Sequence, residues 1–234
     1  MRAVVIQHLD VEGPAHIATA LDAAGVEVDV IRADLGQRIP EDLDGIDGLV
    51  VMGGPMSARS DDGFPTRGAE IALLRQALDR EVPTLGVCLG AQLLAAAAGA
   101  RVIAGHGLEV GWGAVEVLEC AVDDDLFFGL DGHLDVLHWH GETYSLPAGA
   151  IHLARSQAYE QQAFRVGRCA WGLQFHLEVG VDEATRFIDS FPDEADAALG
   201  GRHGVREGCG PAVEALAPVR DLVVARFAAL VARR

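Results

Sequence analysis

The first part of the chain alternates short apolar runs with longer segments of helical character. Near-continuous apolar runs of this length are typical of strands buried on both faces. A repeated strand–helix order predicts an α/β fold with a mostly parallel sheet and helices on both sides. The predicted strands are Ala3–Ile6, Val26–Ile31, Gly48–Met52 and Thr84–Val87, and the predicted helices are Ala15–Ala24, about Ala69–Leu78, and Ala91–Ala98.

After Gly99 the pattern changes to short strands separated by turn residues, which is typical of antiparallel pairing. These strands predict an antiparallel extension from about Val102 to Val166, which continues into the main sheet through the run Ala170–Phe175. The predicted strands of the extension are Val102–Ala104, Trp112–Leu118, Leu134–Trp139, Ile151–Ala154 and Gln162–Val166.

The last part of the chain is predicted to be helical at both ends, with a helix at Asp182–Phe191 and a final helix over Val213–Val231. The segment Pro192–Pro211 is rich in Gly, Asp and Arg and predicts a loop between them. No internal repeat and no linker interrupts the chain. We therefore expect one domain over residues 1–234, with a core of about 1–191 and a helical tail of about 211–234.

The composition limits the kinds of partner. Thirty-five acidic residues against eighteen basic ones give a formal net charge of −17. Binding to nucleic acid or to an anionic membrane through a basic surface is therefore not expected, because phosphate contacts need clusters of Lys and Arg. Half of the residues are hydrophobic, which is enough for a full core.

The sequence also predicts a cytoplasmic location. The opening run leads directly into a strand without the pattern of a signal peptide, and no stretch approaches the roughly 20 apolar residues of a membrane span. The four cysteines are scattered without a Cys-x-x-Cys pair, so we expect reduced thiols. They are Cys88, Cys120, Cys169 and Cys209.

The strongest chemical signal lies between the strand Thr84–Val87 and the helix that follows it. Gly86-Val-Cys88-Leu-Gly90 leaves only a residue or two for the turn, and glycines two before and two after the centre relieve the crowding. The Gly-x-Ser-x-Gly elbow exposes its nucleophile by the same geometry. Cys88 would then stand at a helix N-terminus, where the dipole favours a thiolate, although a small buried Cys that only fills space is an alternative.

A thiolate nucleophile needs a base and a group that orients the base. Two His-x-Glu pairs could supply both, since residues two apart on a strand share a face. His176-Leu-Glu178 ends an apolar run and would stand at the carboxyl edge of the sheet beside Cys88. His140-Gly-Glu142 is predicted in a Gly-containing turn and is better suited to contact a substrate.

Two weaker patterns complete the list. His138-x-His140, with His133 or Glu142 as a third ligand, could bind a metal, but no carboxylate cluster stands nearby in the sequence, so neither a metal ion nor a cofactor is expected. Gly53-Gly54-Pro55 follows a predicted strand and could point backbone N–H groups at an oxyanion, together with the N–H of Leu89. Alone, this motif is an ordinary turn.

Together these motifs resemble the class I glutamine amidotransferase family, whose members carry a Cys-His-Glu triad. The resemblance extends from about Gly48 to Val179 and is strongest to stand-alone proteins similar to the amidotransferase domain of GMP synthase. It implies a flavodoxin-like three-layer αβα sandwich. Its motifs are Gly53-Gly54-Pro55, Gly86-Val-Cys88-Leu-Gly-Ala-Gln92, Leu108-Glu-Val-Gly-Trp112, His138-Trp-His-Gly-Glu142 and Gly172-Leu-Gln-Phe-His-Leu-Glu178.

The resemblance implies a role for each matching residue. Cys88 is the implied nucleophile, His176 the general base and then acid, and Glu178 the carboxylate that orients it. Gly54 and Leu89 are the implied oxyanion donors. The implied substrate contacts are Gly53, Gln92, His140, Gly141 and Glu142.

The implied reaction is hydrolysis of the γ-amide of glutamine, or of another γ-glutamyl compound, through a thioester on Cys88. Ammonia could pass to a separate synthetase, because no ATP-pyrophosphatase loop lies in these residues. Two alternatives stay open: a γ-glutamyl peptidase on the same scaffold, and a binding or regulatory protein that has lost turnover.

Overall fold

A computed structural model describes residues 1–234, and its centre is one nine-stranded sheet. The strands are β1 (Arg2–Gln7), β2 (Glu27–Arg32), β3 (Gly48–Val51), β4 (Thr84–Val87), β5 (Val102–Val117), β6 (His133–Tyr144), β7 (Ile151–Ser156), β8 (Ala163–Val166) and β9 (Ala170–Leu173). Their order across the sheet is β2-β1-β3-β4-β9-β8-β7-β5-β6.

The helices cover this sheet on both faces. They are α1 (Ala15–Ala23), α2 (Arg67–Asp79), α3 (Leu89–Ala97), α4 (Val181–Ser190), α5 (Pro192–Ala197) and α6 (Gly201–Ala232). One apolar core packs α1 and α6 against one face, and a second packs α2 and α3 against the other. The result is the predicted flavodoxin-like three-layer αβα arrangement.

The first five strands in the sheet order are parallel, from β2 to β9. Strands β1, β3 and β4 are almost wholly apolar and buried, as the continuous hydrophobic runs predicted. Because the strands are parallel, their carboxyl ends lie at one edge. The loops after β1, β3, β4 and β9 therefore meet there, and they carry the candidate site.

The other strands pair antiparallel and form the predicted extension. Two of its predicted strands, Val102–Ala104 and Trp112–Leu118, are one long strand, β5, with a register shift between Ala104 and Glu109. Its partner β6 runs on to Tyr144. The prediction that His140-Gly-Glu142 forms a turn is therefore wrong, because pairing with β5 continues through these residues.

The predicted loop Pro192–Pro211 is also wrong. Pro192 begins the short helix α5, where a proline costs no hydrogen bond, and α6 runs through both Pro211 and Pro218. Gly and Pro disfavour a helix interior locally. Burial of the apolar face of α6 outweighs that preference, and Cys209 consequently lies inside a helix.

No helix is both long enough and apolar enough to cross a membrane. All four cysteines are free thiols.

Candidate active site

Cys88 occupies the turn between β4 and α3, as its flanking glycines predicted. Its backbone has φ of +51° and ψ of −106°, which is strained for a residue with a side chain. A Cβ on Gly90 would overlap the carbonyl oxygen of Val51, and one on Gly86 would lie 2.5 Å from the carbonyl oxygen of Gly90. Both glycines are therefore required by close backbone approach, and the turn holds the thiol at the head of the helix.

His176 and Glu178 follow β9 and form a buried pair. The Nδ1 atom of His176 lies 2.7 Å from Oε1 of Glu178, so the carboxylate fixes the ring orientation. Burial by itself lowers the pKa of His176, but the charge of Glu178 and hydrogen bonding with Cys88 and Glu178 outweigh it and hold that pKa well above its usual value. Nε2 has no other partner. The imidazole is thus free to exchange a proton with the thiol.

Two further groups contact the sulfur. Cys88 Sγ lies 3.7 Å from the carbonyl oxygen of Trp139, and the amide of Gln174 donates toward it at 3.8 Å. Gln92 donates to the side-chain oxygen of Gln174 and to the carbonyl of Glu142. These contacts tie Cys88 to strand β6.

The proposed oxyanion donors line the same cavity as Cys88. The N–H of Leu89 is in the first turn of α3, where helix geometry leaves it unpaired, and the N–H of Gly54 makes no hydrogen bond within the chain. A Cβ on Gly54 would lie 2.9 Å from Leu89, so only glycine allows this approach.

A second buried histidine–carboxylate pair holds the Gly53–Gly54 peptide. His8 Nδ1 lies 2.9 Å from the carbonyl oxygen of Gly53, and its Nε2 lies 2.8 Å from Glu70, with both side chains fully buried. Burial lowers the pKa of His8, but the bond to Glu70 outweighs it and raises the pKa above its usual value. Since the Gly53 carbonyl and the Gly54 N–H belong to one peptide unit, His8 fixes the direction of that donor.

The cavity has a volume of about 210 Å³ and two differently built ends. At one end Glu142 Oε1 accepts a hydrogen bond of 2.7 Å from Ser57 and lies 3.8 Å from Arg59. Glu142 Oε2 is buried without a partner. This end offers opposite charges of the kind that an α-amino and an α-carboxyl group would need.

The other end is next to His176. Glu12, from the loop after β1, is only 4% exposed. Glu194 of α5 makes no salt bridge, but it accepts a 2.5 Å hydrogen bond from the indole of Trp139. Burial raises the pKa of Glu12 to about 7; His176 and His8 lower it, and Glu178 and Glu194 raise it.

His140 lines the cavity, and both of its ring nitrogens contact oxygen atoms. Nδ1 contacts the carbonyl of Glu142 at 3.0 Å and Nε2 contacts Glu109 at 2.8 Å. Burial raises the pKa of Glu109, but bonds from His140 and Ser156 and the charges nearby lower it to about 2. The ring thus supports the strand rather than pairing with the carboxylate of Glu142.

The residues that could hold a metal are Glu109, His138 and His140, whose donor atoms lie within 4.8 Å of one another. The third group is Glu109, and not the His133 or Glu142 that the sequence suggested. Burial lowers the pKa of His138 to about 4. Both ring nitrogens of His140 already have protein partners, and a metal-free site stays our prediction.

The structure brings most of the predicted residues to one place. Those that line the cavity are Gly54, Cys88, Leu89, Gln92, His140, Gly141 and Glu142. Gly53 lies just behind, because a Cβ there would be 3.1 Å from His176 and would overlap Glu12. The sequence analysis missed His8, Glu12, Glu70 and Glu194. The signal for His8 was its position directly after the buried strand β1, and Glu12 lies in the loop that follows; Glu70 and Glu194 gave none.

An α/β sheet with a cysteine elbow, a buried His–Glu pair and free backbone donors at one edge defines a class of acyl-transfer proteins. Comparisons with known proteins identify the family within this class. The family model for "Glutamine amidotransferase class-I" matches residues 11–191. The glutamine amidotransferase-like protein YfeJ of Salmonella typhimurium is 30% identical over 206 residues, which are 86% of each chain.

A glutamine-hydrolyzing GMP synthase of Porphyromonas gingivalis is 35% identical over 159 residues, which cover 67% of this chain but only 30% of that protein. The crystal structure of a glutamine amidotransferase from Thermotoga maritima aligns with a TM-score of 0.87 at 30% identity, covering 97% of this chain and 98% of the other. The chain belongs to the class I glutamine amidotransferase family.

Proposed function

We propose that the protein is a glutaminase-type amidohydrolase in which Cys88, His176 and Glu178 act as a catalytic triad. The observation that supports it most strongly is the buried His176–Glu178 bond next to the strained Cys88, whose thiol helps to raise the pKa of His176. That arrangement matches the nucleophile–base–orienter logic of covalent catalysis.

In the proposed first half-reaction, the thiol proton passes to His176 Nε2 and the sulfur attacks the γ-carbonyl carbon. The N–H groups of Gly54 and Leu89 bind the oxyanion, and loss of one such donor costs roughly 2.7–4 kcal/mol. His176 then protonates the leaving nitrogen, and the C–N bond breaks. A γ-glutamyl thioester remains on Cys88.

In the second half-reaction, His176 takes a proton from water, and the hydroxide oxygen adds to the thioester carbon. Collapse breaks the C–S bond, His176 returns its proton to the departing sulfur, and glutamate is released. A positioned acid or base contributes typically about 10²–10⁴-fold to such steps.

A γ-glutamyl substrate is supported by the Glu142 end of the cavity. The carboxylate of Glu142, beside Ser57, suits an α-ammonium group, and Arg59 suits an α-carboxylate. Gln92, Gly53 and Gly141 complete the proposed contacts. His140 acts indirectly, because its bonds to Glu109 and to the Glu142 carbonyl hold the strand in place.

A separate synthetase is the proposed acceptor of ammonia. The chain corresponds to 30% of the length of the Porphyromonas GMP synthase, so that protein contains much sequence without a counterpart here. Slow hydrolysis by the isolated chain is expected, since a partner would complete the site. A cytoplasmic location also stays a prediction.

A second candidate is a γ-glutamyl hydrolase that releases an amine and passes no ammonia on. The observation that favours it is the acidic and aromatic end of the cavity beside His176, which ammonia alone does not need.

The test is labelling with 6-diazo-5-oxo-norleucine, a reactive glutamine analogue, followed by peptide mass spectrometry. We expect modification of Cys88 alone, since burial raises the pKa of both the Cys169 and Cys209 thiols. Cys120→Ala, which removes an exposed thiol, is the matched control and should label normally. Ammonia release by wild type but not by Cys88→Ala should accompany it; equal release by both would exclude the mechanism.

A further inference from the structure

Glu12 is a buried acid without a protein partner. Its side chain makes no hydrogen bond, yet it lines the cavity at 4% exposure. Buried carboxyl groups normally have a partner, because an unsatisfied one costs free energy. A group from a bound ligand would supply what the protein does not.

Glu12 lies on the leaving-group side of the nucleophile. A Cβ placed on Gly53 would meet both Glu12 and His176, which shows that the two side chains approach the same point. His176 is the proposed acid that protonates the departing nitrogen. Whatever is attached to that nitrogen therefore leaves toward Glu12, away from the Glu142 end.

A second carboxylate and an aromatic wall stand beside Glu12. Glu194 is close enough that its charge raises the pKa of Glu12. The rings of Trp139, Phe187 and Phe191 contact one another at centroid distances of 5.6–6.1 Å and line the same cavity. Two carboxyl groups next to aromatic rings suit an alkylammonium ion, whose chain packs on the rings while its charge meets the acids.

We propose that this end of the cavity, formed by Glu12, Glu194, Trp139, Phe187 and Phe191, binds a leaving group that carries its own positive charge. This amine subsite deepens the proposed function and rests on it. It makes a γ-glutamyl amide of a diamine a better substrate than glutamine.

The reaction needs only water as co-reactant. The amide C–N bond breaks, the nitrogen takes a proton from His176, and the diamine leaves with its distal ammonium group unchanged. Water then converts the thioester on Cys88 to glutamate. Glutamate is released from every substrate, so one assay compares them all.

The experiment measures kcat/KM for glutamate release from four compounds. Three are γ-glutamyl amides of similar length, made from 1,4-diaminobutane, n-butylamine and 4-aminobutanoate, and the fourth is glutamine. We expect the diamine compound to exceed the neutral one by about ten-fold or more, and the carboxylate compound to be the poorest.

Glu12→Gln and Glu194→Gln remove the charges and keep the side-chain shapes. Each should lower the ratio of the diamine to the n-butylamine compound several-fold, and the double variant about ten-fold. Glu41→Gln, at an exposed residue far from the cavity, is the matched control and should leave the ratio unchanged.

Protection of Cys88 adds a readout without turnover. Free 1,4-diaminobutane should slow its labelling by 6-diazo-5-oxo-norleucine more than n-butylamine does, and Glu12→Gln should abolish the difference. This measurement keeps the proposal testable if a variant folds poorly.

The outcomes separate the two proposals. No glutamate from any compound would refute the proposed function. Hydrolysis of all four with a ratio insensitive to Glu12→Gln and Glu194→Gln would overturn the amine subsite alone. If Glu12→Gln lowered kcat/KM equally for glutamine and for the diamine compound, the amine subsite would also be overturned, because Glu12 would then bind the α-ammonium group.

Discussion

The parallel and antiparallel halves of the sheet contribute different parts of the site. Loops at the carboxyl ends of parallel strands hold Cys88, His176, Glu178 and the Gly53–Gly54 peptide. The antiparallel strand β6 crosses in front of them, bridging to His176 through Leu137 and supplying the wall that includes Glu142. The groups proposed to react thus lie on short turns fixed by local backbone geometry, whereas the groups proposed to recognise substrate lie on the β5–β6 hairpin, which is positioned by tertiary contacts.

This division predicts that damage to the parallel half lowers kcat and that damage to the hairpin raises KM. The largest effect is expected from Glu178→Gln. Loss of the carboxylate leaves the His176 ring without its orienting charge and should reduce kcat by about 10²–10⁴-fold. Steady-state kinetics on glutamine measure it, with circular dichroism as the folding control. A kcat within three-fold of wild type, on the order of 0.6 kcal/mol, would contradict the triad.

The next largest fall in kcat is expected from His8→Ala. It releases the Gly53 carbonyl, so the Gly54 N–H no longer points at the oxyanion. Removal of a whole oxyanion donor lowers kcat by about 10²–10³-fold, so a misdirected donor should lower kcat by roughly 10–10²-fold. KM should change little. His8→Asn is the matched variant, because its amide can still donate to Gly53 and should restore much of kcat. Equal losses in both would indicate a merely structural role.

Glu12→Gln should stabilise the folded protein while it weakens the proposed preference for a positively charged leaving group. In the folded state the pKa of Glu12 is raised from 4.5 to about 7 by burial, with His176 and His8 opposing and Glu178 and Glu194 adding to the shift. The folded state therefore binds the proton more tightly, and stability falls as pH rises from about 4.5 through about 7.

Removal of that acid should raise the free energy of unfolding at pH 8 by on the order of 2 kcal/mol. Below pH 4.5 the advantage should vanish, because Glu12 is protonated in both states. Urea unfolding of both proteins at pH 8 and pH 4 measures the difference. The same gain at both pH values would show that the charge of Glu12 is not its source.

The smallest effect is expected in the hairpin. Glu142→Gln keeps the hydrogen bond from Ser57 but removes the charge proposed for the α-ammonium group. KM for glutamine should rise about ten-fold, which is about 1.4 kcal/mol, with kcat nearly unchanged. Ser57→Ala is the companion variant and should raise KM by less than Glu142→Gln does. A fall in kcat without a change in KM would show that Glu142 acts in the chemical step rather than in substrate binding.

The sequence was sufficient for the parts of the site that local geometry controls. The elbow at Cys88 follows from two glycines between an apolar strand and an apolar helix, and the structure shows why each is needed. The His176–Glu178 contact follows from a spacing of two on extended backbone. The parallel half of the fold follows similarly, because buried strands carry a continuous apolar signal.

Only the tertiary structure decided the rest. The segment 192–211 is helical because packing of α6 overrides its Gly and Pro content, and β6 stays extended through Gly141 because β5 pairs with it. The His8–Glu70 pair and the Glu12–Glu194 approach join residues far apart in sequence. Contacts of that kind leave no periodic signal, since they depend on where whole strands and helices are placed rather than on the spacing of neighbours.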